Sequence, residues 1–462
     1  TMLGGCKSLE PEPVPNLPVE IPHTYSNRPD TAGQDKSPVM IRQWWHRMDS
    51  PELDRLIEKG FSGNHNLKIL KSRIKQAKAS LKKEASGLRP RVDYSLGADK
   101  SRTRTQNSLS QGGNYFGDHS WDASLSGSYT VDVWGETSAG IRAQTLGLEA
   151  SVEDLNDAAL GLAADIAQTW VDIISVRNQR RILGNQIQLN QTQMDLLKLR
   201  FLNGRASALD VSQQRESLAR VLSLAPILER EESLLLNSLG FMFGGEATTS
   251  LMVHSSDLPK FDFMAGAGIP ANLLENRPDI RAARKRLFSS LSQVEAAKAD
   301  LLPSFTLTAK ALFSSGRLEL LFHNWVASLG AALAGPLLDG GTKGAEVERT
   351  RAVVEERLAL YARTVAEAVR EVEDGLVSMD RQKQYLVRLE DELAAARLTL
   401  ADARVQYLNG QSSYLNLLTV QTAIDGLERQ MVSERALLVK QGILLQKRLG
   451  WNPVDSQKAE GL

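Results

Sequence analysis

The chain says most things twice. "FLNGRASALDV", from Phe201, returns as "YLNGQSSYLNL", from Tyr407, and other landmarks return with it: Pro90 and Pro303, Trp121 and Trp325, Gly204 and Gly410, Gly240 in "SLGF" and Gly450 in "RLGW". A tandem duplication constrains the fold more than any single motif does, because each half has to form the same supersecondary unit.

That unit is helix, hairpin, long helix, turn, helix. In the first half Leu67, Leu70, Ile74 and Leu81 recur at helical spacing, and Pro90 ends the helix. The period then drops to two. Val92, Tyr94, Leu96 and Ala98 alternate with Asp93, Ser95, Gly97 and Asp99, and Trp121, Ala123, Leu125, Gly127, Tyr129 and Val131 alternate with Asp122, Ser124, Ser126, Ser128, Thr130 and Asp132. A polar, glycine-containing loop joins the two runs, which predicts a hairpin over 91–133. Residues 136–201 contain no proline and carry Ile166, Trp170, Ile173 and Ile174 in a helical stripe. At ~1.5 Å per residue this is a rod of about 100 Å. Asn203 and Gly204 tolerate left-handed backbone and reverse the chain. A second helix over 207–239 follows, which Pro226 is expected to kink or break.

The second half repeats the order, with a hairpin over 304–335, a proline-free rod over 338–408 and the turn at Gly410. The organisation read from the sequence is therefore a lipid anchor and extended strap at 1–40, a first repeat at 41–240, a linker at 241–271, a second repeat at 272–451 and a tail at 452–462.

Composition excludes several classes. Lys plus Arg and Asp plus Glu are 55 each, so no basic field exists to attract nucleic acid. No run reaches the ~18 consecutive apolar residues of a membrane-spanning helix. The six histidines form no paired ligand motif, no catalytic residues group together, and neither a metal nor an enzyme activity is expected. "DGGTKG" at 339–344 lacks the phosphate-loop order and reads as a turn opening the second rod, and "AGAG" at 265–268 reads as linker. The single cysteine, Cys6, closes "LGGC" ahead of the proline-rich "PEPVPNLPVEIP". That setting is similar to a bacterial lipoprotein signal, in which the thiol takes a diacylglycerol; a lone incidental cysteine is the alternative. No cofactor is expected beyond that lipid.

Strands of about ten residues with one apolar face have the pattern of transmembrane β-strands. A soluble half-buried hairpin alternates in the same way, but it needs a core to cover its apolar face, and the rest of the sequence is long helices. Trp121, Trp325, Phe305 and Phe313 fall near strand ends, where membrane-interface aromatics sit. Four strands cannot close a barrel, and an open edge in lipid is untenable, so copies must share one barrel.

"QWWHRMDSPELDRLI", "LLENRPDI", "LLPSFTLT" and the two turns, in this order around a duplication, resemble the TolC-like outer-membrane efflux family in its lipoprotein branch. Arg284 departs from the glutamate expected after "RPDI". The resemblance implies a mainly α fold with a membrane β-barrel part: a homotrimer whose twelve strands form an outer-membrane barrel continued by a long periplasmic α-barrel. It implies a passive exit duct for drugs or metal ions, gated at its helical tips, with a periplasmic adaptor and an inner-membrane pump as partners. The exit duct of a type I protein secretion system and a soluble trimeric coiled-coil scaffold are the alternatives.

On the family pattern, Asn416 and Thr419 take places where acidic residues often ring the constriction. Asp210 and Tyr407 match two members of a resting latch, and Ser412 replaces its arginine, so the latch is expected either to be weaker or to draw on Arg404 or Arg205. Gly204 and Gly410 are expected at the turns for their positive φ and small size.

Overall fold

The computed structural model describes residues 44–105, 114–245, 253–259 and 270–450, with a few positions between 13 and 26. Cys6, residues 246–252 and 260–269 of the linker and the tail at 452–462 lie outside the described residues. The first repeat contains α1 (Pro51–Gly63), α2 (His65–Ala85), β1 (Arg91–Thr105), β2 (Asn114–Val131), α3 (Glu136–Leu202) and α4 (Ala208–Met242). The second contains α5 (Leu273–Asn276), α6 (Pro278–Asp300), β3 (Ser304–Ser315), β4 (Trp325–Ala334), α7 (Thr342–Leu408) and α8 (Tyr414–Leu449).

Two shifts superpose the halves. Adding 213 carries the starts of α2 and β1 (His65, Arg91) onto those of α6 and β3 (Pro278, Ser304). Adding 206 carries Glu136–Leu202 onto Thr342–Leu408 and the start of α4, Ala208, onto that of α8, Tyr414. The seven-residue difference falls at the hairpin ends, where the first hairpin is longer. Strand register agrees: Val92 pairs with Gly127, and their images Phe305 and Leu333 pair with each other. Trp325 is therefore the image of His119, and the image of Trp121 is Ala327. The two tryptophans, aligned in the sequence reading, differ by two positions.

One compact unit gathers 1–18, 73–152 and 282–361. Its centre is an antiparallel sheet in the order β1-β2-β3-β4. Side chains fix the exits from the sheet. The Asp132 carboxylate accepts from the Thr137 and Ser138 amides at 3.0 and 2.9 Å, starting α3. Asp339 does the same for the Gly341 and Lys343 amides at 2.9 and 3.0 Å. The second rod consequently begins at Thr342 and not at 338: Gly340 and Gly341 take φ of 66° and 85°, which turn the chain before the helix can form.

The other unit gathers 19–72, 153–281 and 362–462. Ala163, Ala164, Ile166, Ala167, Ile173 and Ile174 of α3 are wholly buried in it. Trp170 is buried among them and donates its indole N–H to Glu52 of α1 at 2.6 Å. Against the sequence reading, one 18-residue window of α3 is apolar enough for a membrane span, but 78% of it is buried, as a core helix requires. Pro226 does not break α4, which runs through it. The proline and Leu222, one turn before it, are both on the exposed side, while Val221 and Leu228 hold the helix against Val176 and Leu183 of α3.

"RPDI" also has a structural role in this unit. Pro278 occupies the first helical position of α6. The buried Arg277 guanidinium forks onto Asp279 at 2.7 Å and reaches Glu371 of α7 at 2.8 Å and the Arg448 carbonyl of α8 at 3.1 Å.

Candidate functional site: an apolar sheet face and two hairpin tips

Cross-strand register turns the period-two patterns into a surface. Successive rows read Val131, Phe305, Leu333; then Tyr129, Leu307, Ala331; then Val92, Gly127, Ala309, Leu329. They continue as Tyr94, Leu125, Ala311, Ala327; Leu96, Ala123, Phe313, Trp325; and Ala98, Trp121, Ser315. Every row is apolar apart from the final serine. The opposite face carries Asp93, Ser126, Lys310 and Ser328 in one row and Ser95, Ser124, Leu312 and Val326 in the next. Val131 to Trp121 is ten steps along β2. At ~3.4 Å per residue and a tilt of about 40°, the apolar band is about 25 Å tall. Phe305 lies in its first row, Trp325 and Phe313 pair in its fifth, and Trp121 lies in its last. The outer edges of β1 and β4 have no strand partner within the described residues.

The two tips share one geometry. Gly204 and Gly410 take φ of 68° and 72°. The Arg205 amide donates five residues back to the Arg200 carbonyl at 2.8 Å, and the Gln411 amide donates to Gln406 at 2.8 Å. Both are glycine-terminated helix ends, in which the reversed backbone satisfies carbonyls the helix would leave bare. A Cβ on either glycine would meet nothing within 4 Å, so positive φ and not lack of space requires glycine here. The Ser207 hydroxyl accepts from the Asp210 amide at 3.1 Å, and the Asp210 carboxylate accepts from the Ser207 amide at 2.8 Å. This reciprocal cap starts α4.

Asp210 serves its own cap, and among the described residues the buried Tyr407 hydroxyl has no hydrogen-bond partner. Arg200, not Arg404 or Arg205, lies over the Tyr407 ring, 4.9 Å from its centroid. Tyr407 packs on Tyr414 at 5.4 Å between centroids, beside buried Leu197 and Leu418. Burial pushes both tyrosine hydroxyls above their ordinary range. On α8, Asn416 donates to the Ser412 hydroxyl at 3.1 Å, and Thr419 donates back to the Leu415 carbonyl at 2.8 Å; both Asn416 and Thr419 are exposed.

Sequence reasoning missed a buried polar ladder behind the tips. Tyr414 donates to Gln214 at 2.5 Å, and Gln214 donates to the Asn190 carbonyl at 2.8 Å. Asn190 donates to the Gln186 carbonyl at 2.8 Å, and Gln186 to the Asp425 carbonyl at 3.1 Å. Gln421 donates to the Asp425 carboxylate at 2.8 Å, and Arg429 donates to Gln186. Burial holds the Asp425 carboxyl above the usual carboxylate range despite the Gln421 hydrogen bond and the Arg429 charge. A signal existed in the sequence: on α3, Leu183, Gln186, Asn190, Met194 and Leu197 keep one buried stripe at spacings of three and four, and two of its members are amides.

Among the described residues no group of His, Cys, Asp or Glu could hold a metal ion. The profile described as "Outer membrane efflux protein" matches residues 56–232 and 269–450. The pyoverdine export outer membrane protein OpmQ of Pseudomonas aeruginosa is 29% identical over 97% of this chain and 94% of its own. The toluene efflux pump outer membrane protein TtgF of Pseudomonas putida is 27% identical over 90% of this chain and 86% of its own. Among solved structures, the CmeC outer membrane channel of Campylobacter jejuni superposes with a TM-score of 0.88 at 19% identity, covering 98% of this chain and 97% of its own. The outer-membrane channel OprN gives 0.85 at 23% identity, over 95% and 98%.

Proposed function

The chain belongs to the outer membrane efflux protein family, and on that premise we propose that three copies form the outer-membrane exit duct of a tripartite efflux pump. The observation that carries the reading is the apolar face, unbroken across four strands and as tall as a bilayer's hydrocarbon band. Lipid has to lie against that face, and lipid cannot solvate the bare edges of β1 and β4. Three copies joined edge to edge give twelve strands and leave no edge. The lumen is lined by the opposite face, with its serines, Asp93 and Lys310.

Transport through such a duct is passive, and energy comes from an inner-membrane pump through a periplasmic adaptor. The relatives named for pyoverdine export and toluene efflux favour small-molecule cargo over protein. A diacylglycerol on Cys6 would add a second hold on the membrane. The test is membrane fractionation followed by native mass determination of the detergent-extracted protein. An outer-membrane trimer with a lipid mass on Cys6 is expected. A detergent-independent soluble species would refute the barrel and leave the coiled-coil scaffold.

A further inference from the structure

The alternation of the first hairpin continues past the apolar band. Beyond Ala98 and Trp121 the same side of β1 and β2 carries Lys100 opposite His119, then Arg102 opposite Gly117, then Arg104. Lys100, Arg102, Arg104 and His119 are all exposed. Successive members of the β1 column stand about 7 Å apart, two strand residues at ~3.4 Å each. The other side of this end of the hairpin carries Asp99, Asp118 and Asp122. Charge is sorted by face: cations extend the apolar side and acids extend the lumen side. A hairpin end that met only water would be free to carry either sign on either side.

The duplication fixes the height of the column. The shifts of 213 and 206 carry Lys100 and His119 onto Phe313 and Trp325, which pair with each other in the second hairpin. Images stand at one height in a barrel built from repeated hairpins. Lys100 is therefore level with that aromatic pair, and Arg102 and Arg104 rise above it into the headgroup layer. An apolar shoulder lies alongside. The chain leaves β3 through Gly316, where a Cβ would lie 3.4 Å from the His119 carbonyl. The 3-10 turn that follows, Leu318–His323, exposes Leu318, Leu320 and Phe322. Phe322 packs T-shaped on Phe313, with 5.3 Å between ring centroids.

We propose that Lys100, Arg102 and Arg104 bind the phosphates of the outer-leaflet glycolipid, lipopolysaccharide, while Leu318, Leu320 and Phe322 cover the carbons next to its headgroup. Arginine's planar fork matches phosphate oxygens two at a time, and lysine adds a point charge. The occupant is a lipid because the column continues the lipid-facing band on the same side of the same strand. It is a lipid of the outer leaflet because the column lies at the end of the sheet away from α2 and α3. Inner-leaflet lipid meets the band at its other end, the row of Val131, Phe305 and Leu333.

This inference rests on the shared-barrel reading, and the experiment separates the two. Full-length protein in detergent is titrated with lipopolysaccharide, with the same lipopolysaccharide stripped of its phosphates, and with phosphatidylglycerol, and bound lipid is counted by native mass. Intact lipopolysaccharide is expected to bind well ahead of the other two. Each Lys or Arg at an anionic lipid surface contributes about fivefold, so Lys100→Gln, Arg102→Gln and Arg104→Gln together are expected to weaken binding about a hundredfold. Arg102→Lys with Arg104→Lys keeps the charge and is expected to retain most of the binding. Asp99→Asn with Asp118→Asn, on the lumen side, is expected not to weaken it. An intact oligomer that binds lipopolysaccharide equally well without the three cations, or binds the stripped lipid or phosphatidylglycerol as tightly, overturns the site alone. A detergent-independent monomer overturns the site together with the shared barrel.

Discussion

Leu125→Arg is the sharpest test of which sheet face meets lipid. Leu125 lies in the fourth of six apolar rows, on the inner strand β2, close to the middle of the band. An arginine at the bilayer midplane of a β-barrel costs about 2–4 kcal/mol, or roughly 30- to 700-fold in the folding equilibrium. Each chain of a shared barrel bears this cost, so three copies together lose about 6–12 kcal/mol. Ser126→Arg is the control: same strand and depth, opposite face, with Asp93 and Lys310 as its cross-strand neighbours. A lumen arginine between an acid and a base is expected to change stability by less than about 1 kcal/mol. The assay is urea unfolding of the protein in phospholipid vesicles, followed by tryptophan fluorescence and by gel mobility of the folded oligomer. Equal losses for the two variants, or a greater loss for Ser126→Arg, would refute the assignment of faces.

Gly410→Val places a β-branched residue at φ 72° in open space, so the cost is backbone strain of about 1–2 kcal/mol or more. Gly410→Asn should cost less, and equal effects on amide exchange around the tip would refute strain as the cause. Tyr407→Phe removes a buried hydroxyl that has no partner among the described residues, so stability should stay the same or rise. A loss above about 1 kcal/mol would show that the assembled protein gives this hydroxyl a partner, as the latch supposes. Asp425 is held above the usual carboxylate range by burial, so folding favours its protonated form. That contribution is complete below the carboxylate range of the unfolded chain and is lost as pH rises through the folded value. Acidification from neutral pH should therefore slow amide exchange near Gln421 and Asp425, and Asp425→Asn should slow it at neutral pH and flatten the dependence. A variant with the pH profile of the original chain would count against this.

Much of the architecture was legible because it follows from periodicity and punctuation. A period of two marked the strands, proline-free helical stripes marked α3 and α7, and glycine with asparagine marked the turns. These signals are local, and local sterics produce them. The errors were also physical. Pro226 removes only one hydrogen bond, and packing on both sides outweighs the loss. The matched tryptophans misled by two positions because strand register is set by pairing along the whole hairpin and not by one residue. The tip residues were named correctly as a turn, but their partners were not foreseeable: Arg200 over Tyr407, and Gln214 beneath Tyr414, come together across helices.

The sequence by itself determined the duplicated unit, the identity and order of its elements, and the alternation that makes one sheet face apolar, since each depends only on neighbours a few residues apart. Only the tertiary structure decided the register that aligns four alternations into one continuous band, the burial of amides and Asp425 behind the tips, and which helix faces the chain leaves bare. Those depend on residues up to 243 positions apart, and nothing in a linear pattern fixes which of the available contacts is made.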